Sequence, residues 1–287
     1  MLGFELDFFD SATAAVDADR RARRASNATR HYRWLLPGLC AAAFAAGAPC
    51  VAAQSGIGTV YVSNFASFQK NEDGSRQWTY EPRLYIPYRF DNGWTFTQRV
   101  DLPLIYTNES GAGNAGGGWS GGIGDLLIQE TFTSPEIAKN LRVTANLRFL
   151  FPTGKQAPFG SSQYQWAPGA GLIYEMPDTW YGVTLTPSAR YYSGFDPQHA
   201  NVSLTRELDL YPGATFALSE RWSLLLYPEN PITHDEHSKT WFVPLDFMLT
   251  RKVDKTLEFG VGGAWKLGNP SNPSYHYIID ARLIVSF

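Results

Sequence analysis

The stretch Tyr275-His-Tyr-Ile-Ile-Asp-Ala-Arg-Leu-Ile-Val-Ser-Phe287 decides the fold. Every second residue from Phe287 back to Tyr275 is apolar, and the intervening residues are mostly polar or charged. Because side chains alternate between the two faces of a β-strand, this pattern predicts a strand with one apolar and one polar face. Its length, its aromatic ends and the final phenylalanine are typical of the closing strand of a barrel whose apolar face meets lipid.

The same alternation recurs from Gly58 to Leu267 in segments that are separated by turn residues. About twelve segments of ten or more residues can be counted, and this is the length that a tilted strand needs to cross a bilayer. The sequence therefore predicts an all-β fold, a transmembrane antiparallel up-and-down β-barrel of about 12 strands. A secreted β-sandwich is the alternative, since its strands also alternate.

The connections between the predicted strands fall into two groups. The short ones are expected on one side, near 91–93, 134–140, 177–179, 219–220 and 252–255. The others are mostly longer and are expected on the opposite side, near 69–77, 108–122, 152–163, 196–201, 229–239 and 268–274. Short periplasmic turns and longer outer loops favour a barrel over a sandwich.

Aromatic residues at the apolar strand ends predict the two girdles of a membrane barrel. They are Trp78, Tyr88, Phe90, Trp94, Tyr106, Trp166, Tyr174, Tyr181, Trp241 and Trp265. Gln98 and Glu130 fall on the lipid-facing row in this register. Glu130 is therefore expected either near the periplasmic rim or beside a bulge that shifts the register.

Residues 1–53 are predicted to be a leader that contains a signal peptide, and residues 54–287 to be the outer-membrane β-barrel. Arginines precede an apolar stretch from Trp34 to Ala53 that ends in small residues, which predicts cleavage before Gln54. A membrane anchor is the alternative. Residues 1–19 fit no signal sequence, and the true translation start stays open.

Composition excludes several classes of function. The chain has 287 residues, a formal charge of -3 and 15% aromatic residues, so no basic surplus favours nucleic acid. The mean hydropathy is -0.24, as expected when polar lumen residues dilute an apolar exterior. Both cysteines, Cys40 and Cys50, lie in the predicted leader, so the barrel segment has no disulfide or thiolate site.

Two motifs could carry chemistry. Gly111-Ala-Gly-Asn-Ala-Gly116 matches a dinucleotide fingerprint, but a strand follows it where the fingerprint needs a helix, which favours an outer loop that can fold inward and narrow the pore. His234-Asp-Glu-His237 contains metal-ligand types, but its place in a predicted outer loop favours a solvated tip. No nucleophile elbow appears. We therefore predict no catalytic residue, cofactor or metal, and an outer-membrane hydrolase is a third alternative.

The polar rows predict the walls of a lumen. Arginines project from the first two-thirds of the barrel and acidic residues from the last third, which predicts a field across the lumen. Local pairing that fills the barrel is the open alternative, with partners such as Glu81 and Glu175. The predicted lumen-lining and selectivity residues are Arg83, Arg89, Arg99, Asp101, Arg142, Arg148, Arg190, Glu207, Asp209, Asp246, Glu258, Asp280 and Arg282. Aromatic residues on the same rows include Tyr61, Tyr85, Tyr192, Tyr211, Tyr227 and Phe242.

Several short motifs resemble the outer-membrane transporter family of the phenol-degradation meta-pathway (MetA-pathway) type. They are Trp119-Ser-Gly-Gly-Ile-Gly-Asp125, Phe151-Pro-Thr-Gly-Lys155, Trp166-Ala-Pro-Gly-Ala-Gly-Leu172, Tyr227-Pro-Glu-Asn-Pro231 and Trp241-Phe-Val-Pro-Leu245. The resemblance implies a β-barrel that passes hydrophobic or aromatic compounds. Many relatives end on a different short tail, whereas this chain ends at Phe287.

These observations predict an outer-membrane channel that passes small, aromatic or hydrophobic molecules by passive diffusion in a Gram-negative bacterium. A closed-lumen structural or adhesion barrel is the alternative. The expected partners are outer-membrane lipid, a small-molecule solute and the barrel-assembly machinery, the last through the strand that ends in Phe287. No nucleic acid is expected.

Overall fold

The computed structural model describes residues 56–154, 156–179, 181–268 and 275–287. The predicted leader, 1–53, lies outside these ranges, as do parts of the predicted connections near 152–163 and 268–274. Within the described ranges the chain forms twelve antiparallel strands. They are β1 (Tyr61–Lys70), β2 (Arg76–Arg89), β3 (Thr95–Asp101 and Leu104–Thr107), β4 (Ser120–Ile123 and Leu126–Thr133), β5 (Leu141–Phe151), β6 (Gln163–Met176), β7 (Val183–Pro197), β8 (Arg206–Ala217), β9 (Trp222–Leu226 and Ile232–Asp235), β10 (Thr240–Phe242 and Pro244–Lys252), β11 (Leu257–Lys266) and β12 (Tyr277–Ser286).

Each strand pairs with its neighbours in sequence, and β12 pairs with β1 to close the sheet into a barrel. The closing ladder runs from Tyr277 opposite Lys70 to Ser286 opposite Tyr61. The backbone N–H of Phe287 donates to Val60 O at 2.9 Å, which extends the seam to the last residue. A short strand, Gly56–Ile57, pairs with the end of β2. The predicted all-β barrel of about 12 strands is confirmed, and the sandwich alternative is wrong because the sheet closes on itself.

The alternation along the strands sorts apolar residues outward and polar residues inward. On β12, Ile279 and Leu283 are exposed, whereas Ile278 and Asp280 are buried. The exposed aromatic residues lie at strand ends and form two belts, and all the predicted girdle residues except Tyr88 are among them. A closed barrel leaves no unpaired sheet edge, so only the outward side chains meet the surroundings. Among the described residues, no helix is long and apolar enough to cross a membrane.

The two ends of the barrel differ in the lengths of their connections. The segments 90–94, 134–140, 177–182, 218–221 and 253–256 join strands at one end, which we call the turn end. The segments 108–119, 152–162 and 198–205 are among the longer ones at the other end, which we call the loop end. Two loop-end connections, 71–75 and 236–239, are short as well.

Two details of the predicted register need correction. Tyr275 was expected on the outer apolar row, but it is only 6% exposed and packs against Phe242, with ring centroids 4.8 Å apart. The reason is that β12 begins at Tyr277, so strand alternation does not extend to Tyr275. The predicted outer loop 229–239 is also wrong, because Ile232–Asp235 is a strand that pairs with β8.

The exterior pair Gln98 and Glu130 sits in an unbroken ladder. The two residues are cross-strand partners on β3 and β4, and the register is continuous from Thr95 opposite Thr133 to Asp101 opposite Leu127. No bulge therefore shifts Glu130, which was one of the two expectations for it. Glu130 lies three residues from the turn-end terminus of β4, which agrees with the other, a position near the rim.

Candidate functional site

The most irregular part of the barrel wall lies in the middle of β9. Leu226 is opposite Ala214 of β8, and Ile232 is opposite Leu210, so residues 227–231 stand against only residues 211–213. Two prolines, Pro228 and Pro231, lack the N–H groups that a continuous ladder would use. The segment 227–231 therefore leaves the sheet as a bulge, which we call the strut.

Asp246 of β10 holds the strut in place. Its Oδ2 accepts hydrogen bonds from the backbone N–H groups of Glu229 at 2.9 Å and Asn230 at 2.7 Å, and Oδ1 accepts one from Asn230 Nδ2 at 3.2 Å. Tyr227, at a φ of 51°, donates its hydroxyl to Pro244 O at 2.9 Å. Asp246 has no exposed surface, so the carboxylate takes the place of the sheet partners that the strut has lost.

The side chain of Glu229 connects the strut to the opposite wall across the interior of the barrel. Its Oε2 accepts a hydrogen bond from Arg83 Nη1 on β2 at 2.7 Å, and its Oε1 lies 3.8 Å from Arg282 Nη1 on β12. Arg83 also donates from Nε to Glu81 at 2.6 Å and lies over the ring of Phe65, 4.4 Å from its centroid. The contact between Glu229 and Arg83 therefore joins strands that are not neighbours in the sheet.

The strut divides the lumen into chambers. One cavity of about 500 Å³ lies toward the turn end and is bordered by residues of β2 to β9. Another, of about 320 Å³, lies toward the loop end and is bordered by Phe65, Gln69, Gln77 and Ile278. Glu81, Arg83 and Glu229 border both cavities, so their ion pairs form the partition between them.

A loop narrows the lumen at the loop end as well. Phe159 is 3% exposed and packs against Gly122 of β4, where an added Cβ would lie 2.7 Å from the ring. Asp125 fixes this loop, because its carboxylate accepts hydrogen bonds from the N–H and the hydroxyl of Ser161 at 2.7 and 2.6 Å. A third cavity, of about 470 Å³, lies beneath it and is bordered by Glu81, Asp101 and residues 157–161.

The glycine-rich loop, 108–119, packs against the inward loop that carries Phe159. The N–H of Gly113 donates to Ala157 O at 2.7 Å, and a Cβ on Gly111 would lie 2.5 Å from the same oxygen. The residue that enters the lumen is thus Phe159, whereas the sequence pointed to residues 108–122. The first element after Gly116 is the strand Ser120–Ile123, not the helix that a dinucleotide site requires.

Four of the predicted lumen arginines form ion pairs with nearby acids, and Arg282 is one of them, at 3.8 Å from Glu229 and 3.6 Å from Glu258. Arg83 binds Glu81 and Glu229 as described above. Arg99 lies 2.5 Å from Asp101, which is 1% exposed, and 3.7 Å from Glu81. Arg142 pairs with Glu175 near the turn end, where both side chains are partly exposed. For Arg99 and Arg142, and for Arg83 with Glu81, the geometry is that of the local-pairing alternative, whereas the pair of Arg83 with Glu229 crosses the lumen.

Arg148 and Arg190 are different, because their contacts are with neutral groups. Arg148 donates to Gln129 Oε1 at 2.8 and 3.0 Å and to the Tyr192 hydroxyl at 2.6 Å. Arg190 donates to Asn146 Oδ1 at 3.2 Å and to the Tyr211 hydroxyl at 3.3 Å. Both arginines border the turn-end cavity.

The predicted acidic residues are distributed over β8 to β12. Asp209 accepts a hydrogen bond from Thr233 at 3.0 Å, and Asp246 holds the strut. Glu258 lies 3.6 Å from Arg282. Both carboxylate oxygens of Asp280 are buried without a hydrogen-bond partner in the described chain. Glu207 is half-buried on β8 and shares a side-chain hydrogen bond with Asp209, whereas Arg89 is exposed at the turn end of β2.

Sequence analysis missed Glu229, which makes the contact across the lumen. The two prolines of Tyr227-Pro-Glu-Asn-Pro231 are the available signal, but the sequence predicts an outer connection near 229–239 that includes Glu229. The predicted polar tip His234–His237 is partly strand. His234 packs on Trp241, and His237 Nε2 lies 2.7 Å from Leu204 O. Within the described ranges, no group of three or more His, Cys, Asp or Glu residues is arranged to hold a metal ion.

A closed antiparallel barrel with an apolar exterior, aromatic belts at both ends and a charged interior defines a class of protein. Strands can span a bilayer only when every backbone group is paired within a closed sheet. An exterior of this kind matches the hydrocarbon layer and its interfaces. The chain is therefore an outer-membrane β-barrel.

Comparison with solved structures agrees with this class. The COG4313 outer membrane channel from Pseudomonas putida F1 is 13% identical, with a TM-score of 0.61, and the match covers 84% of this chain and 100% of that one. The KdgM porin in complex with disordered oligogalacturonate is 14% identical with a TM-score of 0.45, covering 79% of this chain and 99% of that one. At 13% identity, the likeness to the COG4313 channel shows a shared fold. No family model matches the chain, and no curated protein does so either.

Proposed function

We propose that the protein is a passive channel that carries small molecules across the outer membrane through two chambers separated by the Glu229 strut. The observation that carries the proposal is the arrangement of the lumen. Charged side chains border cavities on both sides of a partition that consists of side-chain contacts and one bulge rather than of a folded plug. A lined path of this kind is all that diffusion down a gradient requires.

The partition suits a narrow and selective path. Arg83, Glu81 and Glu229 meet where the two cavities adjoin, so a solute that passes this point must exchange contacts with fixed charges. Aromatic rings lie beside these charges: Tyr61 stacks on Tyr85 at 4.4 Å, and Arg99 lies over Tyr85 at 5.4 Å. Rings and charges together favour a small solute with an aromatic or other apolar body and a polar group.

The proposal extends to the solute, to the contact for barrel assembly and to the chemistry of the path. The five motifs that resemble the meta-pathway transporter family support membership in that family and an aromatic or hydrophobic solute. The strand that ends in Phe287 is proposed as the contact for the barrel-assembly machinery, since it forms the closing seam. Passive diffusion needs no catalytic residue, cofactor or metal, so none is proposed.

Planar-bilayer recording of the purified, folded protein tests the channel. We expect discrete ionic conductance steps that depend on protein in the membrane. A folded barrel that inserts into the bilayer but carries no current would replace the channel with the closed-lumen structural barrel. Turnover of lipid or ester substrates by the same preparation would instead favour a hydrolase.

Charge reversal at an unpaired lumen arginine should change ion selectivity more than reversal at a paired one. We expect Arg148→Glu to move the reversal potential in a salt gradient toward cations, because Arg148 brings a positive charge without an ion-pair partner to the turn-end chamber. Arg142→Glu is the matched control, since Arg142 pairs with Glu175 near the turn end. Equal reversal potentials for wild type and Arg148→Glu would show that the arginines of the turn-end chamber do not set the ion selectivity.

A charge on the barrel exterior should destabilise the protein in a depth-dependent way. Val261 lies at the middle of β11 and is 54% exposed on the outer face. We expect Val261→Arg to lower the free energy of unfolding in lipid vesicles by about 2–4 kcal/mol, the cost of a guanidinium at mid-membrane. Val253→Arg, in the turn after β10, should have little effect. Equal stabilities of the two variants would argue against a lipid-facing surface at Val261.

A further inference from the structure

We propose that Arg148 and Arg190 form a binding subsite for the carboxylate group of a small solute with an aromatic or other apolar body. The inference deepens the proposed channel function and rests on it, since a solute reaches this subsite only through the lumen. Arg148 lies on β5 and Arg190 on β7, and both border the turn-end chamber of about 500 Å³.

The first argument is that these two cations share neutral acceptors. Arg148 donates to Gln129 Oε1 at 2.8 Å and to the Tyr192 hydroxyl at 2.6 Å. Arg190 reaches the same two oxygens at 3.5 Å each, which is long for a hydrogen bond. Neither arginine forms an ion pair with any carboxylate in the part of the chain that the structure describes. Two like charges held close together in a partly buried chamber favour an anion between them.

The acidic residues of β8 hydrogen-bond to groups other than the two arginines. Asp209 is the cross-strand partner of Arg190, but its Oδ1 accepts a hydrogen bond from Thr233 of β9 at 3.0 Å and its Oδ2 accepts one from the Tyr211 hydroxyl at 3.4 Å, so Tyr211 lies between this carboxylate and Arg190. Glu207 lies two residues before Asp209 on the same strand. The two guanidinium groups instead converge on β4 through Gln129. A solute carboxylate can therefore bind the arginines without displacing an ion pair, and guanidinium N–H groups bind carboxylates in pairs.

The second argument is the apolar and aromatic surface beside the two cations. Arg190 lies over the ring of Tyr211 at 5.3 Å, and Arg148 lies over Tyr192 at 5.9 Å. Leu225 and hydroxyl groups such as that of Thr144 complete the nearby border. An aromatic ring attached to the carboxylate could pack on these surfaces while its charged group meets the arginines. The chemistry points to a monocarboxylate with a compact apolar body.

Benzoate is the probe, and its binding is measured by titration calorimetry on the full chain folded in detergent micelles. Benzamide has the same ring and a neutral head group, and we expect it to bind at least roughly tenfold more weakly, because it lacks the charge-assisted contacts. Arg148→Gln and Arg190→Gln should each raise the Kd for benzoate about tenfold. Arg142→Gln is the matched control and should leave the Kd unchanged, because Arg142 lies near the turn end and pairs with Glu175.

The result that overturns the inference is a failure of benzoate to bind, equal affinity for benzamide, or an unchanged Kd in the Arg148 and Arg190 variants. Heat-modifiable migration on gels checks that each variant is folded. If Arg190→Gln does not fold, Arg190→Lys, which retains the positive charge, is measured in its place. The Kd of Arg148→Gln for benzoate then decides the result. Conductance of the same preparations separates the two proposals. Current without benzoate binding overturns only the subsite, and benzoate binding without current overturns only the channel.

Discussion

Replacement of Glu229 by alanine should open the lumen and raise the single-channel conductance. The variant removes the side chain that joins β9 to Arg83 on β2 and to Arg282 on β12. We expect an increase of roughly twofold or more, since the narrowest part of a pore dominates its resistance. The reversal potential should also move toward anions, because Arg83 and Arg282 lose a shared negative partner. Planar-bilayer recording in a salt gradient measures both quantities.

A glutamate outside the partition provides the control for this experiment. Glu175 also pairs with an arginine, but it lies near the turn end and is partly exposed. Glu175→Ala should therefore change conductance much less than Glu229→Ala does. If both variants conduct like the wild type, the strut does not control the path. The main resistance would then lie elsewhere, for example at the loop that carries Phe159.

Replacement of Asp246 by alanine should cause the largest loss of stability. The variant leaves the backbone N–H groups of Glu229 and Asn230 without their acceptor in the interior of the barrel. Each buried donor without a partner costs about 1–3 kcal/mol, so the free energy of unfolding should fall by about 3 kcal/mol or more. Urea titration in lipid vesicles, followed by tryptophan fluorescence, measures the change.

Asp254 is a matched control for Asp246 because it makes the same kind of contacts in water. Its Oδ1 accepts from the N–H groups of Thr256 at 2.7 Å and Leu257 at 2.9 Å in an exposed turn. These hydrogen bonds hold the pKa of Asp254 below its ordinary value, whereas the turn itself remains solvated. Asp254→Ala should cost far less than Asp246→Ala, because water replaces the lost acceptor. Equal losses would mean that the strut does not depend on Asp246.

The strands and the closure of the barrel could be predicted from the sequence because they rest on a local rule. Residues such as Ile279 and Asp280 occupy alternate positions, and a two-residue period fixes the face on which each side chain lies. Tyr275 escaped this rule, because the strand begins two residues later. The same rule placed Arg83, Arg148 and Arg190 on the inner face, where they border the turn-end cavity.

The family-like motifs could be recognised but not interpreted from the sequence. Trp119–Asp125 and Phe151–Lys155 meet at Asp125, whose Oδ1 accepts from the N–H of Gly154 at 3.2 Å and whose Oδ2 binds Ser161. Tyr227–Pro231 forms the strut, and Asp246, which follows Trp241–Leu245, anchors it. Each motif serves a contact with a distant segment, so its role cannot be derived from neighbouring residues alone.

The sequence by itself determined the class of fold and the face on which each strand residue lies, because alternation and turn residues act over a few positions. Only the tertiary structure decided which charges compensate one another and where the lumen is partitioned. Glu229 meets Arg83 although 146 positions separate them. That contact depends on the closure of twelve strands and on a bulge that takes five residues out of the sheet, and no local pattern contains either.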